Sequence, residues 1–163
     1  MSYAVVGEVL KTADMAASPP TFFHRFDVNR MMELKAVRLQ VVKYGVPSLS
    51  SLGLELRSGY QAGSGGRGLI ATASTTYTLA GISTANYSCA EIFFEFDQAP
   101  LLAPNVEYTL NLTASGYTGD DDNHLAWVRT YPDPIVSFSG STTFEQLGRF
   151  PFHVALITRE VRR

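Results

Sequence analysis

Strict alternation of apolar and polar residues marks one stretch of the sequence, Val106-Glu107-Tyr108-Thr109-Leu110-Asn111-Leu112-Thr113. A β-strand turns successive side chains to opposite faces, so this stretch predicts a strand with one buried and one solvated face. The same alternation recurs in Leu52-Gly53-Leu54-Glu55-Leu56-Arg57. Both stretches therefore predict antiparallel strands that cover one side of a core.

Further segments show the same period, or a β-branched and aromatic composition, between turns rich in Gly, Pro, Asn and Ser. They are 3–10, 21–28, 37–41, 71–79, 92–96, 124–131 and 150–157. In the segment 92–96 only Phe93 breaks the alternation, on the outer side. No connection contains a helix long enough for a parallel crossover, so we predict an all-β protein, an antiparallel β-sandwich of about nine strands with little helix. The predicted core includes Leu39, Leu54, Phe94, Tyr108, Leu110 and Phe152.

The chain has 163 residues, of which 45% are apolar and 17% charged, as expected for one folded domain. We assign 1–20 to an N-terminal strand and extended arm and 21–163 to the sandwich. The formal net charge of -2 argues against nucleic acid as a partner. The single cysteine, the lack of a secretory signal pattern and the lack of a long apolar run predict folding in a reducing cytoplasm, without a membrane span.

Two stretches invite a functional interpretation because of their composition. The glycine-rich run 58–68 is followed by a predicted strand rather than by a helix, so we interpret it as a loop and not as a phosphate cradle. Asp120, Asp121 and Asp122 offer oxygen ligands to a cation, but three consecutive acids do not have EF-hand spacing. A solvated turn is the interpretation that these residues favour, and no metal site is predicted.

Aromatic residues near these stretches form the best candidate for ligand binding, because an aromatic ring can stack on a sugar while carboxylates bind its hydroxyls. The candidate residues are Tyr60, Tyr117, Asp120, Asp121, Asp122, Trp127 and Tyr131. The alternatives are a core position for Trp127 and solvated turn positions for the tyrosines. His24, His124 and His153 lie far apart in the sequence, and no nucleophile motif accompanies them. We therefore predict neither an enzyme nor a bound cofactor.

The order of the aromatic and alternating segments resembles a known group of proteins. Phe22-Phe23-His24-Arg25-Phe26 is followed by the segments 34–41 and 52–56, and Ile92-Phe93-Phe94-Glu95-Phe96 is followed by 100–110 and a late strand with Trp127. This order is similar to the jelly-roll domains of bacteriophage virion accessory proteins, and of carbohydrate-binding-like β-sandwich modules. Asn105 stands where glycine is common in that pattern. The resemblance covers about two thirds of the chain and implies a jelly roll; it implies no catalytic residue.

The resemblance leads to two expectations about function. The first is a structural virion component, such as a capsid decoration (cement) or tail-associated protein, which assembles in the host cytoplasm and binds other virion proteins. The second is a non-catalytic carbohydrate-binding module that recognises a surface glycan. The apolar segment 3–10 would be an open sheet edge if it stayed unpaired, so we also expect a homo-oligomer, with a trimer favoured.

Overall fold

The computed structural model describes residues 6–10, 23–60, 66–82, 89–119, 122–129 and 154–161. These ranges contain ten strands and a single-turn helix, α1 (Leu79–Ile82). The strands are β1 (Val6–Leu10), β2 (Phe23–Phe26), β3 (Met32–Tyr44), β4 (Ser51–Ser58), β5 (Leu69–Thr72), β6 (Cys89–Glu95), β7 (Leu101–Leu102), β8 (Tyr108–Ser115), β9 (His124–Arg129) and β10 (Val154–Glu160). None of the described residues form a helix that is long and apolar enough to cross a membrane.

The strands form two antiparallel sheets. Sheet A contains β1, β9, β3, β10, β6 and β7, and sheet B has the order β2-β8-β4-β5. Eight strands pair in a nested order: β1 with β9, β2 with β8, β3 with β6, and β4 with β5. A long antiparallel hairpin that wraps over two sheets in this nested order is a jelly roll. The predicted all-β sandwich of jelly-roll type is therefore confirmed.

The core between the sheets contains the residues that alternation assigned to it. Leu39, Leu54, Phe94, Tyr108 and Leu110 are all buried, and Phe152 lies outside the described residues. The predicted strand 71–79 is found only in part: β5 ends at Thr72, Tyr77 pairs with Leu52 of β4 in an isolated bridge, and Leu79 begins α1. The short strand β7 was not predicted, since two residues are too few to show a period.

The long strand β3 contains a β-bulge that changes which residues face the core. Leu34 pairs with Thr158 and Ala36 pairs with Ile157, so Lys35 is an extra residue in β3. Buried positions accordingly change from even numbers (Met32, Leu34) to odd numbers, as in Val37. An extra residue in one strand produces such a shift, since side chains otherwise alternate strictly.

One edge of β3 is shared by two strands that follow one another along it. Trp127 of β9 pairs with Val41, and Val154 of β10 pairs with Leu39, two residues further along β3. β9 meanwhile continues beside β1 as far as Arg129. β9 and β10 together thus occupy the place of one long last strand, and residues 130–153 connect the two parts.

Asn105 has a backbone conformation that explains its place in the sequence pattern. Its φ angle is 58°, in the left-handed region that glycine enters most easily and asparagine next. Its backbone N–H donates to the carbonyl of Val28 at 2.8 Å. The position is therefore a tight turn in which asparagine can replace the glycine that is common in similar jelly rolls.

The outer edge of β6 is capped by the segment that joins β5 to α1. The Tyr77 hydroxyl accepts a hydrogen bond from the Phe93 N–H at 2.9 Å and donates to the Phe93 carbonyl at 2.8 Å. Ser74 donates to the Glu95 carbonyl, and the Glu95 N–H donates to the Thr75 hydroxyl. Because these side chains bond the backbone groups of β6, the edge offers less to an added strand.

We expect Tyr77→Phe to lower the free energy of unfolding by about 1 to 2 kcal/mol, because two hydrogen bonds are lost while the ring still packs on Phe94. Urea denaturation followed by circular dichroism measures the change. Thr76→Val removes an exposed hydroxyl from the same segment and serves as the control. Equal stability of the two variants would show that the hydroxyl bonds of Tyr77 do not stabilise the edge.

Candidate functional site

The outer face of sheet A exposes apolar side chains on β6 and β10, the two strands that flank β3. Phe93 in β6 is 39% exposed and Ile157 in β10 is 41% exposed. Ala36 of β3 pairs with Ile157 on one side and with Glu95 of β6 on the other, so these three side chains share the face. We call Phe93, Ala36 and Ile157 the apolar diagonal: Ala36 and Ile157 are paired, and Phe93 pairs with Arg38, two residues further along β3.

Charged side chains border the apolar diagonal. Glu33 contacts Lys35 at 2.7 Å and Arg159 at 2.5 Å. The hydrogen bond from Lys35, together with Arg159, holds the pKa of Glu33 below its usual value, although desolvation acts in the opposite direction. Glu33 is therefore ionised at neutral pH, and its ion pairs weaken only when the pH falls through that lowered pKa.

Two charges next to the diagonal are less well matched. Arg38 pairs with Phe93 across the β3–β6 ladder, and its guanidinium reaches only Glu91, at 3.7 Å. The Nε atom of Arg38 is buried and has no hydrogen-bond partner among the described residues. Glu95 bonds through its backbone, and within the described ranges its carboxylate has no ion-pair partner. This face thus carries a cation and an anion that can each accept an external partner.

The outer face of sheet B is covered where the glycine-rich run folds over it. The Thr109 hydroxyl donates to the Gly59 carbonyl at 2.5 Å, and Thr109 is buried. Gly66 lies so close that a Cβ atom there would overlap the Cβ of Arg57 and press on that of Thr109. A side chain at Gly66 is therefore excluded by the close packing of this residue on sheet B.

A buried cation lies beside this loop. The Arg25 guanidinium bonds the carboxylate of Glu107 and lies 4.0 Å from the centre of the Tyr60 ring. Arg25 is 7% exposed, so its charge is largely removed from water and needs this carboxylate. A guanidinium over an aromatic face adds a cation–π attraction. The Tyr60 ring is thus held by the protein itself, with one face occupied by Arg25.

Asn111 of β8 is the unusual polar residue of sheet B. It is 0% exposed, and neither its amide oxygen nor its amide nitrogen has a hydrogen-bond partner within the described structure. It pairs with Glu55 of β4 in the ladder. A buried amide without partners is costly, since it has lost its bonds to water and gained none in return.

Replacing Asn111 by leucine should therefore raise the free energy of unfolding, by about 1 kcal/mol, because both unpaired polar atoms are removed at similar volume. Thermal or urea unfolding measures the effect. Asn123→Leu is the matched control: the Asn123 side-chain oxygen accepts a hydrogen bond from the Val46 N–H at 3.0 Å, so this variant should lose stability. A loss of similar size in Asn111→Leu would mean that the Asn111 amide has a partner in solution.

Of the predicted ligand-binding residues that the structure describes, Tyr60 lies apart from the others, which lie in or beside β9. Tyr117 is buried in the core, and its hydroxyl accepts a hydrogen bond from the Leu125 N–H at 3.0 Å. Tyr60 lies on sheet B, Asp122 is an exposed turn residue beside Gly45, and Trp127 lies in β9 opposite Val41. Asp120, Asp121 and Tyr131 lie outside the described residues.

The turn before β9, described from Asp122, contacts the turn after β3. The rings of Tyr44 and His124 lie 4.7 Å apart, and Asn123 holds the next turn through Val46. The described residues contain no group of three or more His, Cys, Asp or Glu side chains that could bind a metal ion. For the residues that it includes, Asp122 to His124, the turn therefore has a clear structural role.

Sequence reasoning missed most of the outer face of sheet A. Arg38 and Glu95 are far apart in the sequence and meet through strand register, which alternation does not reveal. Phe93 did leave a signal, because it is an aromatic residue at an outward position. Comparisons with protein-family models, curated proteins and solved structures find no match to the chain.

Proposed function

We propose that the protein is a structural component of a bacteriophage particle, a capsid decoration or tail-associated protein that assembles in the host cytoplasm and binds other virion proteins. The observation that carries this proposal is the outer face of sheet A. It combines exposed apolar side chains, Phe93 and Ile157, with a border of charged residues. Protein interfaces have this composition, with aromatic residues and arginine enriched at their centres.

The arrangement of the rest of the sandwich supports the same function. The loop 58–60 and 66–68 packs on the described outer face of sheet B, and the edge of β6 is capped by Tyr77. The outer face of sheet A, in contrast, leaves Phe93 and Ile157 exposed on two strands that flank β3. A sandwich that docks through one flat face suits a protein of a regular assembly.

The test is the composition of purified particles. Mass spectrometry of gradient-purified particles of the encoding phage should find the chain in many copies, and Phe93→Asp should lower its incorporation while leaving the purified variant folded. The matched control is Val46→Asp, which changes an exposed apolar residue that lies outside this face. Recovery of the wild-type chain only from the particle-depleted lysate would overturn the proposal.

The second candidate function is carbohydrate binding on sheet B. Tyr60, Arg25 and Glu107 form a cluster of an aromatic ring and charged groups. Aromatic rings, amides and carboxylates together bind sugars. Specific retention on a glycan array that is lost in Tyr60→Ala, with normal folding, would favour this function over the first.

The sequence favours oligomerisation because the apolar segment 3–10 would be an open sheet edge, and the structure changes this expectation. β1 pairs with β9 over Val6–Leu10, so this part of the N-terminal segment completes its own sheet. The N-terminal arm from residue 11 to 20 lies outside the described residues. The trimer remains a prediction from sequence, and the outer face of sheet A now offers a described surface for self-association.

A further inference from the structure

We propose that the outer face of sheet A is a two-fold interface between two copies of this chain. The inference rests on the proposed role of this face in assembly and adds the partner. The face exposes apolar surface and two incompletely matched charges, Arg38 and Glu95. An interface between identical copies requires a surface that is complementary to itself.

The strand register gives this face the required self-complementarity. Arg38 pairs with Phe93, and Glu95 pairs with Ala36, so the cation and the anion lie on opposite sides of the apolar diagonal. A two-fold axis along the diagonal places Phe93 against Phe93 of the second copy, and Ile157 against Ile157 of the second copy. The same axis places the Arg38 of each copy opposite the Glu95 of the other copy, so the interface contains two such pairs.

The chemistry of the two charged residues fits this pairing. A guanidinium binds a carboxylate through two parallel hydrogen bonds, and within its own chain Arg38 has only the long contact to Glu91. Docking would also cover Phe93 and Ile157, whose exposure is unfavourable in water. Ala36, which pairs with Ile157 and lies two residues from Arg38 along β3, is small enough to allow close approach of the two sheets.

Reciprocal charge reversal tests the interface directly. We expect sedimentation equilibrium of the purified wild-type chain to show a dimer at micromolar concentrations. Arg38→Glu and Glu95→Arg should each weaken the dimer by about tenfold or more, since each places like charges opposite one another. The double variant restores opposite charges in both pairs and should recover most of the wild-type affinity.

Controls separate loss of the interface from loss of folding. Circular dichroism and thermal unfolding verify each variant, and Arg38→Gln tests removal of the charge without reversal. Val46→Glu introduces an acid at an exposed apolar residue away from the face and should leave the dimer unchanged. A monomeric or trimeric wild-type chain, or a double variant as weak as the single variants, would overturn the inference.

The test of the two-fold interface and the test of the proposed function can fail separately. A chain that is present in particles but monomeric when purified would refute the two-fold interface and leave the virion function standing. A chain that dimerises through Arg38 and Glu95 but is absent from particles would refute the virion function alone.

Discussion

Phe94→Ala is expected to lower the free energy of unfolding by about 3 to 5 kcal/mol. Phe94 is 0% exposed, lies in β6 opposite Val37, and packs its ring edge-to-face on Tyr77 at 5.4 Å between centroids. Truncation removes apolar contacts with both sheets and leaves a cavity that the surrounding strands cannot fill. Urea denaturation monitored by circular dichroism measures the loss.

The neighbouring residue provides the control for this prediction. Phe93→Ala removes the same side chain from the outer face, where it is 39% exposed, so its cost should be below about 1 kcal/mol. Both variants are compared at low protein concentration, because association through the outer face would add to the apparent stability of the wild type. Similar losses in the two variants would contradict the assignment of Phe94 to the core and Phe93 to the surface.

Gly45→Ala is expected to cost about 3 kcal/mol, because two unfavourable effects add. The φ angle of Gly45 is 59°, a conformation that a Cβ atom makes unfavourable. A Cβ at this position would also overlap the backbone oxygen of Asp122 and the side-chain oxygen of Asn123. The turn after β3 and the turn before β9 would have to move apart, and the hydrogen bond from Val46 to Asn123 would be disturbed.

Gly81→Ala is the matched control for the turn variant. Gly81 lies in α1, has no positive φ angle, and its added Cβ would find its nearest neighbour, the Thr78 hydroxyl, at 3.6 Å. Its stability should be unchanged or higher by up to about 1 kcal/mol, because alanine favours helix. If Gly45→Ala had the same melting temperature as the wild type, the two turns would be able to move apart without a loss of stability, and the prediction would be wrong.

Alternation predicted those parts of the fold in which one face of a strand is buried. Leu54 and Leu110 lie in the core because alternate side chains of a strand point to the same face, and one face of each strand is buried. The bulge at Lys35 could not be predicted in this way, because an extra residue is visible only against the partner strand. The turn at Asn105 is predicted by the composition Ala103-Pro104-Asn105, and the positive φ angle of Asn105 is consistent with it.

The candidate site was less accessible to sequence reasoning. The residue types in the sequence favoured tyrosines and aspartates as ligand-binding residues. The Tyr117 hydroxyl instead accepts a hydrogen bond from a backbone N–H inside the core. The surface on which Arg38, Glu95 and Ile157 meet exists only once β3 is paired with β6 and β10. Cross-strand register is set by the whole topology, so chemistry that depends on it is hidden from any local pattern.

Because the last strand is divided into β9 and β10, the length of the connection between them can change while the pairing of the strands stays the same. Because the two parts follow one another on the edge of β3, at Val41 and Leu39, the chain returns close to the place where it left. Each doubling of a connection between such neighbouring ends costs only about 0.6 kcal/mol in closure entropy. We therefore expect that a connection of different length or sequence can be grafted at this point without a change in the pairing of either sheet.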